Sequence, residues 1–260
     1  MCENMGLLDG KFVLIAGGSS GIGSATASLF AKEGAKGIGV HYSSSPDRAE
    51  KVTSEVRKHT EVVTLKSDVS KYNEVKRIAD EFVKKWKRID VIVNFAGATS
   101  SKESWYRNPL DIPDKEFLEP FMIDFLGSYH FIRAVADQMR DQGGGKIILT
   151  SSSPTIVGEP EGFSFTVAKD GIRMLVKSLS PILIKDFGIY LNAIAPGTIE
   201  TSANRMNYSD NEWNQLIKQI PLRRSVQPEE IAKVALFLSS DLSNGMVGQT
   251  IIADGGEVRL

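Results

Sequence analysis

The sequence predicts an α/β protein: a doubly wound, mostly seven-stranded parallel sheet with helices on both faces. Two observations carry this. Short apolar runs alternate with helical patterns along the chain, and several of those runs are apolar throughout, as expected of strands covered on both sides. Such alternation implies parallel neighbours joined by right-handed crossovers. The 260 residues contain no repeat, no low-complexity tract and no linker rich in Pro, Gly or Ser, so residues 1–260 read as a single domain.

Seven runs qualify as strands: residues 12–16, 38–42, 62–65, 91–93, 147–149, 191–195 and 250–252. Among the helical patterns, Val75, Ile78, Ala79, Phe82, Val83 and Trp86 follow the i, i+3, i+4, i+7 spacing of one apolar stripe. Ile172, Leu175, Val176 and Leu179 do the same. Pro181 falls inside that second pattern and is expected to bend the helix. Ser43-Ser44-Ser45-Pro46 reads as a short loop that caps the next helix. Two polar stretches, 98–113 and 199–219, follow strands and break the rhythm. They are expected at the carboxyl ends of the sheet, where open α/β sheets bind ligands. Met206, Tyr208, Trp213 and Ile217 make 199–220 a candidate substrate lid.

Composition narrows the function. A formal net charge of -1 favours neither nucleic acid nor an anionic membrane as partner. The one cysteine, Cys2, is expected in a frayed N-terminus and permits no intramolecular disulfide. No Cys/His cluster has metal-ligand spacing, so no metal is expected. Residues 1–10 lack the apolar run of a signal peptide, and no stretch is long and apolar enough to span a bilayer. A cytoplasmic location is the expectation.

The first strand runs into Ala16-Gly17-Gly18-Ser19-Ser20-Gly21-Ile22-Gly23 and then a helical run. Glycines allow a tight turn and close approach of the backbone to a pyrophosphate, and the helix start offers free N–H groups. Gly17, Ser19, Ser20, Gly21, Ile22 and Gly23 are therefore the candidate phosphate cradle of a Rossmann-type site. The spacing is Gly-x-x-x-Gly-x-Gly, one residue wider than the common fingerprint. It resembles the short-chain dehydrogenase/reductase family. The similarity continues through Asp68-Val69, Asn94-Phe95-Ala96-Gly97, the 192–201 stretch and the segment ending Asp254-Gly255-Gly256, covering roughly residues 8 to 257.

The resemblance implies that Asp68 and Val69 meet adenine, and that Asn94, Ala96, Gly97, Pro196, Gly197, Ile199 and Thr201 lie along the nucleotide. Strand two ends Tyr42-Ser43-Ser44-Ser45 with no carboxylate before Asp47, so nothing there repels a 2′-phosphate. Tyr42, Ser43 and Ser44, with Arg48 nearby, suit NADP, with NAD as the alternative cofactor.

Members of the family reduce carbonyls with an Asn-Ser-Tyr-Lys tetrad. Here the resemblance maps the lysine onto Lys169 and the serine onto Ser152, with Ser151 and Ser153 as weaker candidates. The tyrosine position is Phe165, and the asparagine position is Asp124. Phe165 lies four residues before Lys169, on the same helical face, but cannot donate a proton. Asp124 is expected to pair with Lys169, directly or through water, beside the nicotinamide; the alternative is local pairing without a chemical role. The expected function is carbonyl/alcohol redox by hydride transfer on a small molecule, through an atypical site lacking the tyrosine acid. The alternative is an inactive nucleotide-binding sensor or partner subunit on the same scaffold. The family also implies a homodimer or homotetramer across the 116–139 helix and the helix that carries Lys169.

Overall fold

The computed structural model describes residues 6–98 and 100–259. Cys2 lies outside the described residues. Seven parallel strands form one sheet in the order β3-β2-β1-β4-β5-β6-β7: β1 Phe12–Ala16, β2 Gly37–Tyr42, β3 Glu61–Lys66, β4 Val91–Asn94, β5 Gly145–Thr150, β6 Ile189–Pro196 and β7 Thr250–Ala253. Each expected strand is present, most extended by a residue or two. Alternate side chains of β1 explain its unbroken apolar run. Phe12, Leu14 and Ala16 enter one buried cluster with helices α3 (Tyr72–Trp86), α6 (Gly127–Asp141) and α8 (Phe163–Phe187). Val13 and Ile15 enter the other, with α1 (Gly21–Lys32), α2 (Pro46–Val56) and α11 (Pro228–Ser239). Period-two geometry sends neighbours to opposite faces, so a strand covered twice is apolar at every position.

The strand order reverses between β1 and β4. A doubly wound sheet opens a crevice at that point, outside the carboxyl ends of its strands.

Four local expectations need amendment. The helix expected over 116–139 is not uniform: α5 (Asp114–Pro120) passes through a π-turn, Phe121–Leu126, into α6. The polar stretch 98–113 contains α4 (Lys102–Trp105) and a 3₁₀ turn, Pro109–Asp111. The stretch 199–219 contains α9 (Ser202–Arg205) and α10 (Asp210–Gln219), and Trp213 packs there at 5% exposure. Ser45 precedes α2, but its hydroxyl caps no amide and instead accepts from Arg48 Nη2 at 2.5 Å. Pro181 does not end α8, which continues to Phe187. The remaining short helix is α7, Pro154–Val157.

Candidate active site

A cavity of about 560 Å³ opens at the switch point. Its floor is the glycine turn and the start of α1. Gly17 has φ +69, and a Cβ there would come within 2.7 Å of the Ala96 nitrogen. A Cβ on Gly23 would lie 2.2 Å from the Gly17 carbonyl oxygen. Only glycines let this turn fold back on the helix. The Ser20 side chain caps no amide at the start of α1, so that end stays open for an anion. The residues present therefore fit a dinucleotide diphosphate. Tyr42, Ser43, Ser44 and Arg48 line one end of the same cavity, and Asp68 and Val69 also line it. The Asp68 carboxylate accepts from the Ser70 hydroxyl at 2.6 Å and the Ser70 amide at 3.0 Å. Those bonds, together with Lys71, hold its carboxyl below the usual range.

Of the expected nucleotide residues, Asn94 alone does not reach the cavity. It is 2% exposed, its Nδ2 donates to the Ser128 hydroxyl at 3.0 Å, and its Oδ1 accepts from the Ala96 amide at 3.0 Å. Both ends of its amide are spent joining β4 to α6 and shaping the 95–97 turn. Asn94 acts on the wall from behind.

At the other end of the cavity, Lys169 and Asp124 face each other at 2.8 Å, both buried. Lys169 Nζ also donates to the Thr150 carbonyl at 2.9 Å, and Asp124 Oδ2 accepts from the Ala98 amide at 3.0 Å. Asp124 Oδ1 meets the ammonium at ion-pair distance without hydrogen-bond alignment and has no hydrogen-bond partner among the described residues. Gly97 leaves room for it, since a Cβ there would sit 2.6 Å from Oδ1. The π-turn places Asp124 in this spot. Single-turn π-helices widen the backbone spiral and re-aim one side chain.

Ser152 alone of the three neighbouring serines lines both this cavity and an adjoining one. Ser151 donates its hydroxyl to the Lys169 carbonyl at 3.0 Å, and the Ser153 hydroxyl is buried without a hydrogen-bond partner among the described residues. Phe165 also borders both cavities. Its ring lies 5.6 Å from the Trp105 ring, and 5.6 Å from Lys169 Nζ.

The second cavity, about 240 Å³, is bounded by Trp105, Tyr208, Trp213, Asn204 and Glu257. Segment 199–220 is fastened to the 100–105 loop by the Lys102–Glu212 ion pair and by Asn207 Nδ2 donating to the Ser100 carbonyl at 3.3 Å. Burial, reinforced by a hydrogen bond with Tyr106, pushes the Tyr208 phenol up, which makes it a poor substitute acid.

A protein-family model described as Enoyl-(Acyl carrier protein) reductase matches residues 16–257. The chain is 37% identical over 256 residues to an L-rhamnose-1-dehydrogenase of Scheffersomyces stipitis, covering 96% of this chain and 97% of that one. It is 33% identical over 247 residues to a 3-oxoacyl-[acyl-carrier-protein] reductase of Staphylococcus epidermidis, covering 95% and 98%. The chain belongs to the short-chain dehydrogenase/reductase family. Among solved structures, a 7α-hydroxysteroid dehydrogenase complexed with NADH and 7-oxo glycochenodeoxycholic acid superposes with TM-score 0.89 at 29% identity, covering 100% of this chain and 99% of that one.

Sequence reading of this short-chain dehydrogenase/reductase missed two side chains. His41, at the end of β2, accepts from the Gly17 amide through Nδ1 at 3.1 Å. That acceptor role puts the proton on Nε2, which donates to the Ser67 carbonyl at 3.1 Å. Burial pulls its pKa down to about 4, against the opposing Ser67 bond, so the ring is a neutral clamp on the glycine turn. The other is Glu257, whose Oε1 accepts from the Thr198 amide at 3.0 Å. Burial pushes its carboxyl up, partly offset by that amide. A buried-strand histidine beside a glycine turn was the available signal for the first. None existed for the second, which meets Thr198 from 59 residues away.

Proposed function

We propose that this short-chain dehydrogenase/reductase binds NADP(H) and interconverts a carbonyl and an alcohol on a small molecule, with a proton path through Lys169 and Asp124 in place of a tyrosine. The observation that carries this reading is the buried Lys169–Asp124 pair beside Ser152 and Phe165, both of which line the two adjoining cavities. The nicotinamide cofactor supplies or accepts the hydride when bound. The Tyr42–Ser44 hydroxyls with Arg48 support NADP over NAD. Ser152 holds the substrate oxygen by a hydrogen bond. Lys169 has three donors. Thr150 accepts from one and Asp124 holds the ammonium as an ion pair, which leaves donors for the nicotinamide ribose. The spare acceptor capacity of Asp124 Oδ1 orients a solvent water, the proton source in reduction and the proton sink in oxidation. Residues 1–260 act as one domain with 199–220 as the substrate lid, and a second copy packs on the exposed Met174 and Ile182 of α8.

Without a phenol, reduction forgoes about 10²–10⁴-fold of general-acid catalysis, or ~3–5 kcal/mol of barrier. Restoring it is the test. NADPH oxidation against a carbonyl panel should run slowly in the wild type and about 10²–10⁴-fold faster in Phe165→Tyr. The second reading, nucleotide binding without turnover, is favoured by the apolar Phe165–Trp105 wall. It prevails if NADPH binds and neither protein turns over.

A further inference from the structure

Resting on the redox reading above, the chemistry of the smaller cavity specifies a substrate class. Its polar wall is rich in acceptors. Asn207 Nδ2 donates to the Ser100 and Ala203 carbonyls at 3.3 and 3.2 Å, and Asn204 Nδ2 donates to the Ile199 carbonyl at 2.9 Å. With both NH₂ groups committed to carbonyls, each amide oxygen is left with no donor among the described residues. Glu257 extends the pattern. The Thr198 amide holds Oε1 and the Thr198 hydroxyl also interacts with the carboxylate, while Oε2 accepts no hydrogen bond within 3.5 Å among the described residues and lies beside Gly197, where even a Cβ would come within 2.7 Å of it. The carboxylate is thus fixed in direction by one oxygen and free at the other. Four rings, Trp105, Phe165, Tyr208 and Trp213, with Pro154 and Leu216, line its apolar side.

We infer that Glu257 is a specificity-determining residue and that this cavity takes a small polyhydroxylated substrate, a sugar or polyol, one of whose hydroxyls donates to the free Glu257 oxygen. Hydroxyls satisfy all three acceptors, and the rings cover the C–H faces. An alkyl or acyl chain in the same place would bury those acceptors without a partner, which costs more than leaving them in water. The raised carboxyl of Glu257 agrees, because it reports a charge already short of water. The Lys102 ammonium in the same wall disfavours a cationic ligand. About 240 Å³ is smaller than sites for drug-sized ligands.

The test is calorimetric binding at saturating NADP⁺, comparing a panel of six-carbon sugars with cyclohexanone, hexan-2-one and cyclohexylamine. Wild type should prefer sugars. Glu257→Gln keeps the acceptor that holds Thr198 but removes the charge, and should weaken sugar binding about 10–100-fold, the range for a hydrogen bond to a charged acceptor. Glu257→Leu should lose the sugars and gain the ketones. Unchanged NADP⁺ affinity and melting temperature verify that the variants fold. Sugar binding that ignores Glu257→Leu overturns the inference, as does preference for a ketone or the amine, or no sugar bound at all. Glu257-dependent sugar binding with no hydride transfer in either direction would instead sink the redox reading and leave this one standing.

Discussion

The two ends of the cleft are built from different material. The nucleotide end is mostly backbone: a glycine turn, a helix start without a cap, and a hydroxyl-bearing turn after β2. The opposite end is mostly side chain, with Lys169 and Phe165 from α8 and Asp124, Ser152 and Glu257 from other parts of the chain. Backbone sites tolerate few substitutions, because a Cβ in the wrong place blocks the fold itself. Side-chain sites can exchange chemistry while the scaffold stands. On the proposed reading, that asymmetry lets a phosphate cradle stand beside an aromatic ring where the family resemblance implies an acid.

The strongest way to sharpen the contrast is to break the buried ion pair. Asp124→Ala strands the Lys169 ammonium in a dry site and should cost about 3–5 kcal/mol of unfolding free energy. Adding Lys169→Met should recover part of that loss, whereas simple additivity of the two changes in denaturant unfolding would mean the groups are not coupled. A slightly smaller effect belongs to the nucleotide end. His41 is neutral when folded and has a pKa near 4, below the ordinary 6.5. Its contribution is complete above about pH 6.5 and is lost as pH falls towards 4, on the order of 3 kcal/mol in all. His41→Asn should flatten the stability–pH curve across that window, and an unchanged slope would remove the clamp. Smallest is Arg48→Ala. NADPH affinity should fall about 10–100-fold, as for loss of a charge-assisted hydrogen bond, with NADH affinity unmoved. Equal losses for both nucleotides would refute a phosphate contact.

The same division governs what could be read in advance. The strands are written in runs such as Phe12-Val13-Leu14-Ile15-Ala16, and the cradle in three glycines at fixed spacing, because local backbone demands leave local signatures. Lys169 and Phe165 were placed together by helical periodicity alone. The π-turn around Asp124 has no such signature: nothing in Phe121-Met122-Ile123-Asp124-Phe125-Leu126 distinguishes five-residue from four-residue hydrogen bonding. Asn94 was placed on the cavity wall by motif, yet its contacts with Ser128 and Ala96 turn it away. Glu257 was invisible because its partner Thr198 becomes a neighbour only when β7 pairs with β6.

The widened spiral at Phe121–Leu126 makes the chemistry removable by length as well as by identity. Deleting one residue there would let the coil close to regular α geometry and remove the widened turn from which Asp124 reaches Lys169. The carboxylate would leave the ammonium while every other group around the cleft kept its identity. A one-codon loss in that turn is therefore expected to break the ion pair while leaving the identities of the other cleft residues unchanged.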